Sequence, residues 1–180
     1  MDAKKTLELI KERRSVRSFT DKDVDRDALR TLVEAAIWAP TGGNIQAWEF
    51  VVLDKEDKEL MTRMIPFLPG VFEVPSAMIW ACMDREKEGA RAGKVGLEVV
   101  GIMDIAMASQ NIMLMAHAMG IGSCVIRSFN AEAAMLAMNL PEHVTPELVV
   151  ILGYPNGESL SPPRIPVEQK LHWSRFGGGK

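Results

Sequence analysis

Three arginines and two serines lie close together in the segment Arg13–Phe19, which reads RRSVRSF. Arginine keeps its charge at any working pH, and its planar fork of N–H groups matches the oxygens of a phosphate. The segment could therefore bind one dianionic group such as a phosphate. A basic cluster at the end of a helix is also typical of a solvated surface that interacts with the helix dipole. A second feature of the chain has to decide between these interpretations.

A loop rich in amide and hydroxyl groups, Pro40–Gln46, lies between two apolar elements. Its two glycines allow the backbone to approach a ligand closely. The turn Gly120–Ser123 and a late arginine, Arg164, are further candidates for the same binding site. Phosphate-binding groups at one end and hydrogen-bonding groups at the other describe a nucleotide-like ligand with a polar heterocycle. Flavin mononucleotide (FMN) fits this description, and the cofactor would then supply the reactivity.

No side chain stands out as a catalytic nucleophile, acid or base. None of His117, His143 and His172 has a serine, cysteine or carboxylate at a recognised motif spacing. The chain has no HExxH, paired-histidine or CxxC pattern, so no metal held by the protein is expected. The GxxxxGK[ST] and GxGxxG fingerprints of nucleotide-binding loops are also missing. The sequence therefore predicts a binding site without a catalytic side chain.

Length, composition and charge fit one domain, residues 1–180, of ordinary globular composition. The net charge of −3 gives nucleic acid no overall attraction. Cys82 and Cys124 are far apart in the sequence and are expected to be core thiols in a reducing compartment. The N-terminus lacks the apolar run of a signal peptide, so we expect a cytoplasmic protein.

Helical and strand patterns follow one another along the chain, which predicts an α+β or mixed α/β architecture. Helices are expected at 3–14, 25–39, 55–65, 99–119 and 130–139, and strands at 48–53, 77–83, 122–126 and 147–152. The polar segment 84–96 is expected to be the least ordered. The apolar segment 99–119 is long enough to span a bilayer, but its polar residues favour a helix buried in a core or a subunit interface. Trp38, Trp48 and Trp80 are expected to anchor the core.

Four motifs in this order resemble the nitroreductase family of flavin-dependent oxidoreductases. They are RRSVRSF, APTGGNIQAWEF, DIAMASQNIMLMAHAMGIGSCVI and ILGYP, the last followed by a downstream arginine. The resemblance implies an α+β nitroreductase-like fold, with a central, mostly antiparallel sheet flanked by helices. It also implies a homodimer with the long helix at its interface and one FMN at each of two sites formed between the subunits.

The resemblance further implies which residues contact FMN. The phosphate and ribityl chain would be held by Arg13, Arg14, Ser15 and Arg17, with Arg164 closing over the phosphate. The partner subunit would meet the isoalloxazine ring through Pro40, Thr41, Asn44 and Gln46. The backbone of Ile121, Gly122 and Ser123 would offer N–H groups near ring N5 and O4. Pro162 stands where larger members commonly have a lysine, and 84–96 is short beside members with a helical lid.

The function implied is an oxidoreductase with a ping-pong cycle. NADH or NADPH would deliver hydride to flavin N5, and a nitroaromatic, quinone or similar small acceptor would then take its place. The alternative is an FMN-binding or sensing homodimer with little turnover, favoured by the short 84–96 region and the lack of a recognisable nicotinamide-binding element. A specialised chemistry, reductive dehalogenation or flavin fragmentation, is a third interpretation. Neither nucleic acid nor a membrane is an expected partner. The sequence identifies neither the acceptor nor the preferred nicotinamide.

Overall fold

A four-stranded antiparallel sheet forms the centre of the protein. The computed structural model describes residues 2–178. The strands are β1 (Trp48–Leu53), β2 (Ala77–Asp84), β3 (Gly122–Ile126) and β4 (Val144–Gly153), and they lie in the order β1-β2-β4-β3. The central strands β2 and β4 are almost wholly buried, whereas β1 and β3 are the edges of the sheet. The predicted α+β fold around an antiparallel sheet is confirmed.

Helices cover both faces of this sheet. They are α1 (Ala3–Glu12), α2 (Arg26–Ile37), α3 (Lys58–Met64), α4 (Arg85–Val95), α5 (Gly101–Ala118) and α6 (Ala131–Ala137). Successive strand residues point to opposite faces, so β2 contributes to two cores. Ile79 belongs to the core that contains Leu32 of α2 and Ile112 of α5. Trp80 belongs to the core on the other face, together with Met61 of α3.

The polar segment 84–96 is helical, so the expectation that it is the least ordered part of the chain is wrong. Asp84 caps α4 because its side chain accepts a hydrogen bond from the Lys87 N–H. A π turn, Gly96–Val100, joins α4 to α5, and the resulting helical run, Arg85–Ala118, is kinked at Gly93, whose φ of +59° and ψ of −148° are not helical. Polarity was misleading here because most side chains of α4 face solvent. By length and composition alone this run could cross a bilayer, a test that core helices of soluble proteins also pass.

Helix α5 is buried on one face only within the chain. Ile105, Ala108 and Ile112 are buried, whereas Met103 on the opposite face is 59% exposed. The neighbouring Trp38 is 80% exposed, so its predicted role as an anchor of this chain's core is wrong. The predictions that Trp48 and Trp80 anchor the core and that both cysteines lie in the core are confirmed, because all four side chains are buried.

The segment 156–178 crosses the surface without regular structure except for one 3-10 turn, Val167–Gln169. Large apolar side chains along it are exposed, including Leu160 at 90% and Phe176 at 92%. A single copy of the chain therefore leaves the apolar anchors of this tail uncovered.

Candidate functional site

The arginine segment is attached to the edge of the sheet by its backbone. The Val16 N–H donates to Ser123 O at 2.9 Å, and Ser15 and Ser123 form an isolated parallel bridge. Further along, the Thr20 N–H donates to Tyr154 O at 2.8 Å. These bonds fix the backbone from which the arginine side chains project, so the arginines are positioned by the sheet and not by α1 alone.

Two glycines allow the segment to approach the sheet so closely. A Cβ atom added to Gly122 would lie 2.9 Å from the Val16 side chain, and one added to Gly153 would lie 2.7 Å from the Phe19 ring. Contacts under about 3 Å are not tolerated by packed carbon atoms without movement. Gly122 and Gly153 therefore hold the segment in place through the close packing of Val16 and Phe19.

One surface cavity of about 860 Å³ brings the predicted phosphate-binding residues together. It is lined by Arg13, Arg14, Ser15, Arg17 and Arg164, and by Lys11 and Pro162. No carboxylate in residues 2–178 lines it. A concave surface with several cations and no counter-charge attracts an anion, which favours the ligand site over the solvated basic surface. Pro162 stands in this lining where larger family members commonly have a lysine, so this position contributes no positive charge.

Arg14 is held in place before any ligand arrives. Its guanidinium donates from Nη1 to the carbonyl oxygens of Lys11 and Arg13, at 2.5 and 3.0 Å, and from Nη2 to Ser161 Oγ at 2.8 Å. Ser161 belongs to the tail, so this bond ties the tail to the arginine segment. No motif marked Ser161 in the sequence.

A second cavity of about 320 Å³ adjoins the first through Arg13 and Arg14. It is also lined by Ile121, Gly122 and Ser123, so the predicted turn does lie beside the arginines. The Ile121 N–H donates to Ala116 O at 2.8 Å, however, because it completes the end of α5. Its backbone is therefore not available as the donor that the resemblance implied, and the prediction for Ile121 is corrected on this point.

The loop Thr41–Gln46 has an unusual backbone. Gly43, Asn44 and Gln46 have φ values of +55°, +53° and +54°. Side chains with a Cβ rarely adopt this region, and such strain persists where the surrounding contacts enforce it, often at functional sites. Within the loop, Gln46 Nε2 donates to Asn44 Oδ1 at 3.1 Å, and the Gln46 N–H donates to Thr41 Oγ1 at 3.3 Å. The loop is a preformed surface of polar groups.

Two contacts anchor this loop to the long helical run. The Gly42 N–H donates to Asp104 Oδ2 of α5 at 3.0 Å, and Lys87 Nζ of α4 donates to Gln46 O at 2.9 Å. Pro40, Thr41, Asn44 and Gln46 line neither of the two cavities beside the arginines. Within one chain the structure therefore does not bring the loop and the arginine segment together. Asp104 is the first residue of the third motif, whereas Lys87 lies in none of the four; the contact of each with the loop follows from tertiary packing.

Two titratable side chains other than the arginines, Glu12 and His117, line the second cavity. No group of three or more His, Cys, Asp or Glu side chains that could hold a metal occurs in the described part of the chain. Burial raises the pKa of the Cys82 thiol to about 12, so it is not a thiolate nucleophile at neutral pH. Burial also raises the pKa of Glu88 and of Asp104, whose carboxyls lie beneath the loop.

Comparison with known proteins matches this arrangement to one family. The family model described as "Nitroreductase family" matches residues 10–77 and 66–154 of the chain. The chain belongs to the nitroreductase family. The resemblance read from the four motifs is thereby confirmed, since the matched residues include the first three motifs and the fourth as far as Tyr154; Pro155 and the downstream arginine lie outside the match.

Three relatives of this nitroreductase-family chain illustrate the similarity. One from Archaeoglobus fulgidus is 31% identical over 158 residues, covering 84% of this chain and 86% of the relative. The FMN reductase (NADPH) of Bacillus subtilis is 29% identical over 185 residues, covering 95% of this chain and 74% of that protein. The solved structure of an FMN-dependent nitroreductase from Clostridium difficile R20291 superposes with a TM-score of 0.79 at 25% identity, covering 94% of this chain and 99% of that one.

Proposed function

We propose that this protein is an FMN-dependent oxidoreductase that uses NADH or NADPH as electron donor. The observation that carries the proposal is the cavity lined by Arg13, Arg14, Arg17 and Arg164 without a carboxylate. The names of two relatives, an FMN reductase (NADPH) and an FMN-dependent nitroreductase, support the same cofactor. When bound, FMN would accept a hydride from the nicotinamide and pass the electrons to an acceptor.

The residues of the chain fit FMN by their chemistry. The arginines and Ser15 would hold the phosphate through charge-assisted hydrogen bonds. The strained loop would place Thr41, Asn44 and Gln46 against the polar edge of the isoalloxazine ring. Neither task requires a side chain that transfers protons, in agreement with the lack of a catalytic motif. We propose a small nitroaromatic, quinone or similar compound as acceptor, with ping-pong kinetics.

We infer that the working form is a homodimer. Trp38, which is 80% exposed, lines an apolar surface with Leu114 and Met115 that one copy leaves open. Met103 at 59% and Phe176 at 92% exposure are further uncovered apolar side chains. Such surfaces on soluble proteins mark interaction sites. A second copy could cover this surface and bring its Thr41–Gln46 loop to the arginine segment, which the loop does not reach within one chain.

Titration of the purified protein with FMN tests the proposal. We expect a yellow protein whose flavin absorbance is bleached by NADH or NADPH under anaerobic conditions. A protein that stays colourless after addition of FMN would refute the proposed function. Bound FMN that neither nicotinamide reduces would instead favour the FMN-binding or sensing homodimer with little turnover. Parallel lines in double-reciprocal plots at varied acceptor concentration are expected for the ping-pong cycle.

Sedimentation of Trp38→Glu tests the dimer. A charge on this exposed residue of the apolar surface should shift the protein toward monomer and reduce FMN binding, because the site would lose its second subunit. Leu136→Glu is the matched control, since Leu136 is 83% exposed on α6, which covers the opposite face of the sheet. Equal sedimentation of both variants as stable dimers would place the interface elsewhere.

A further inference from the structure

Glu88 is a carboxylic acid enclosed by apolar groups. Its side chain is fully buried, and neither oxygen has a hydrogen-bond partner in residues 2–178. It lines a small cavity together with Trp48, Met83 and Asp104. Leaving an ionised carboxylate there without a partner would be very unfavourable. The neutral, protonated form of Glu88 is therefore the one that fits this cavity.

The helical run is shaped to accommodate this side chain. A Cβ atom on Gly96 would lie 2.6 Å from Glu88 Oε1, and one on Gly101 would lie 3.2 Å from Glu88 Cγ. These two glycines stand at the beginning of the π turn and directly after it. π turns inside helices occur frequently at functional sites. The Glu88 carboxyl therefore occupies a space that exists because Gly96 and Gly101 have no side chains.

Among residues 2–178, no cationic side chain lines the cavity to balance a second negative charge. Asp104 is the only other titratable residue that lines it in the described part of the chain. Charged groups on the elements packed around the cavity have other partners. Asp84 accepts from the Lys87 N–H, Lys87 Nζ donates to Gln46 O, and Lys94 Nζ lies 3.7 Å from Glu98 Oε1. Asp104 has a different environment from Glu88, because its Oδ2 accepts the Gly42 N–H. This bond favours the ionised form of Asp104.

We propose that Glu88 and Asp104 form a carboxyl pair that carries one proton and positions the Thr41–Gln46 loop. Neutral Glu88 lets Asp104 remain the single buried anion, and Asp104 holds the loop through the Gly42 N–H. The loop has little freedom to adjust, since a Cβ atom on Gly42 would lie 2.5 Å from Val100 Cγ1 of the π turn. Ionisation of Glu88 would place two like charges in one cavity and displace this contact. The inference rests on the proposed function, because the loop is taken to contact the flavin ring.

Glu88→Gln tests the pair without FMN. Burial, with a further contribution from Asp104, raises the pKa of Glu88 in the folded protein. The stability that the neutral form contributes is thus present below the unfolded pKa of about 4.3 and is lost as the pH rises through the folded value. Glu88→Gln should remove this loss, so its denaturation midpoint should exceed that of the wild type increasingly as the pH rises from 5 to 9. Glu86→Gln, an exposed neighbour on α4, should follow the wild type.

The loaded protein supplies the second readout. The visible spectrum of bound FMN should change between pH 6 and pH 9 in the wild type and stay constant in Glu88→Gln. Asp104→Ala should slow flavin reduction by about 10- to 100-fold, as misplacement by about 1 Å can do. Its dissociation constant for FMN should rise by a smaller factor than the rate falls, because the phosphate end of FMN is bound by the arginine segment. Asp104→Asn keeps an oxygen for the Gly42 N–H and should restore most of the rate.

The outcomes separate this inference from the proposed function. If the denaturation midpoint of Glu88→Gln depends on pH in the same way as that of the wild type, the proposed carboxyl pair is refuted, even if FMN binds and is reduced normally. Equal losses in Asp104→Ala and Asp104→Asn overturn the positioning role. Absence of FMN binding in the wild type refutes the proposed function, whereas the pH profile of the protein without FMN still tests the pair.

Discussion

Replacement of Arg17 by alanine tests the phosphate site with little disturbance of the fold. Arg17 is exposed, and its guanidinium makes no hydrogen bond or ion pair with any other residue in the described range 2–178. Its removal therefore takes away a contact to the ligand and no contact within the chain. Arg14 is different, because it also binds Lys11 O and Ser161 Oγ.

The size of the effect follows from the kind of bond lost. A hydrogen bond to a charged group contributes about 1.5–3 kcal/mol, and each 1.4 kcal/mol is about a tenfold change in affinity. Arg17→Ala should therefore raise the FMN dissociation constant about 10- to 100-fold. The loss should shrink at about 1 M salt, where charges are screened beyond about 3 Å. Arg14→Ala should lose at least as much, with a further contribution from the freed tail.

Titration with FMN and with riboflavin separates phosphate binding from ring binding. Riboflavin lacks the phosphate, so Arg17→Ala should bind it as well as the wild type does. Ser161→Ala measures the part of the Arg14 effect that comes from the tail. Arg63→Ala, an exposed arginine on α3, is the control for a change in net charge. Fluorescence quenching of the flavin gives all of these constants.

Two results would refute the reasoning. FMN affinity of Arg17→Ala and Arg14→Ala within about twofold of the wild type would remove the phosphate role from the segment. An equal loss of FMN and riboflavin affinity would show that the substitutions act through the fold. Either result would return the arginine segment to the interpretation of a solvated basic surface.

Three further predictions concern the elements that hold the site. Gly122→Ala should lower the free energy of unfolding by about 1–3 kcal/mol through overlap with Val16, against less than about 1 kcal/mol for Val125→Ala on the same strand; denaturant unfolding of both decides whether the glycine is required. Gln46→Gly should raise stability by about 1 kcal/mol by relieving the positive φ, and weaken FMN binding; unchanged stability would mean that the loop is not strained. Arg26 holds the pKa of Asp54 below its usual range. The stability that Asp54 contributes is therefore present above about pH 3.9 and is lost as the pH falls through the folded pKa. Arg26→Ala should thus destabilise the protein at pH 7, and denaturant unfolding should show that this effect fades toward pH 2.

The sequence predicted those elements whose apolar periodicity agrees with their burial. β1 and β3 have the predicted bounds, and α2 begins at the residue after its cap, Asp25. The signal was sufficient there because α2 buries one apolar face and both strands are short runs rich in apolar residues. α4 was missed because a polar helix has no such face, and its N-terminal cap is a local feature that composition does not reveal.

The site was predictable only where short motifs carry the chemistry. The RRSVRSF motif predicted a cluster of arginines that the structure places in one cavity with Arg164. Glu88 could not be found in this way, because a glutamate in a polar helix is expected to face solvent. Its burial depends on Gly96 and Gly101, which follow it in the sequence and lie against it only after the π turn forms. Trp38 was misassigned for the opposite reason. A large apolar residue is expected to be buried in the core of its own chain, but it can instead lie exposed on a surface that contacts a partner.

The pairing of Val16 with Ser123 gives the arginine segment a second physical task. β3 is an edge strand, and its N–H and C=O groups would otherwise be open to pairing with another chain. The segment covers part of this edge and so protects the folded protein against edge-to-edge aggregation. Deletion of the first 20 residues would consequently cost solubility together with anion binding, and only point substitutions of the arginines can separate the two.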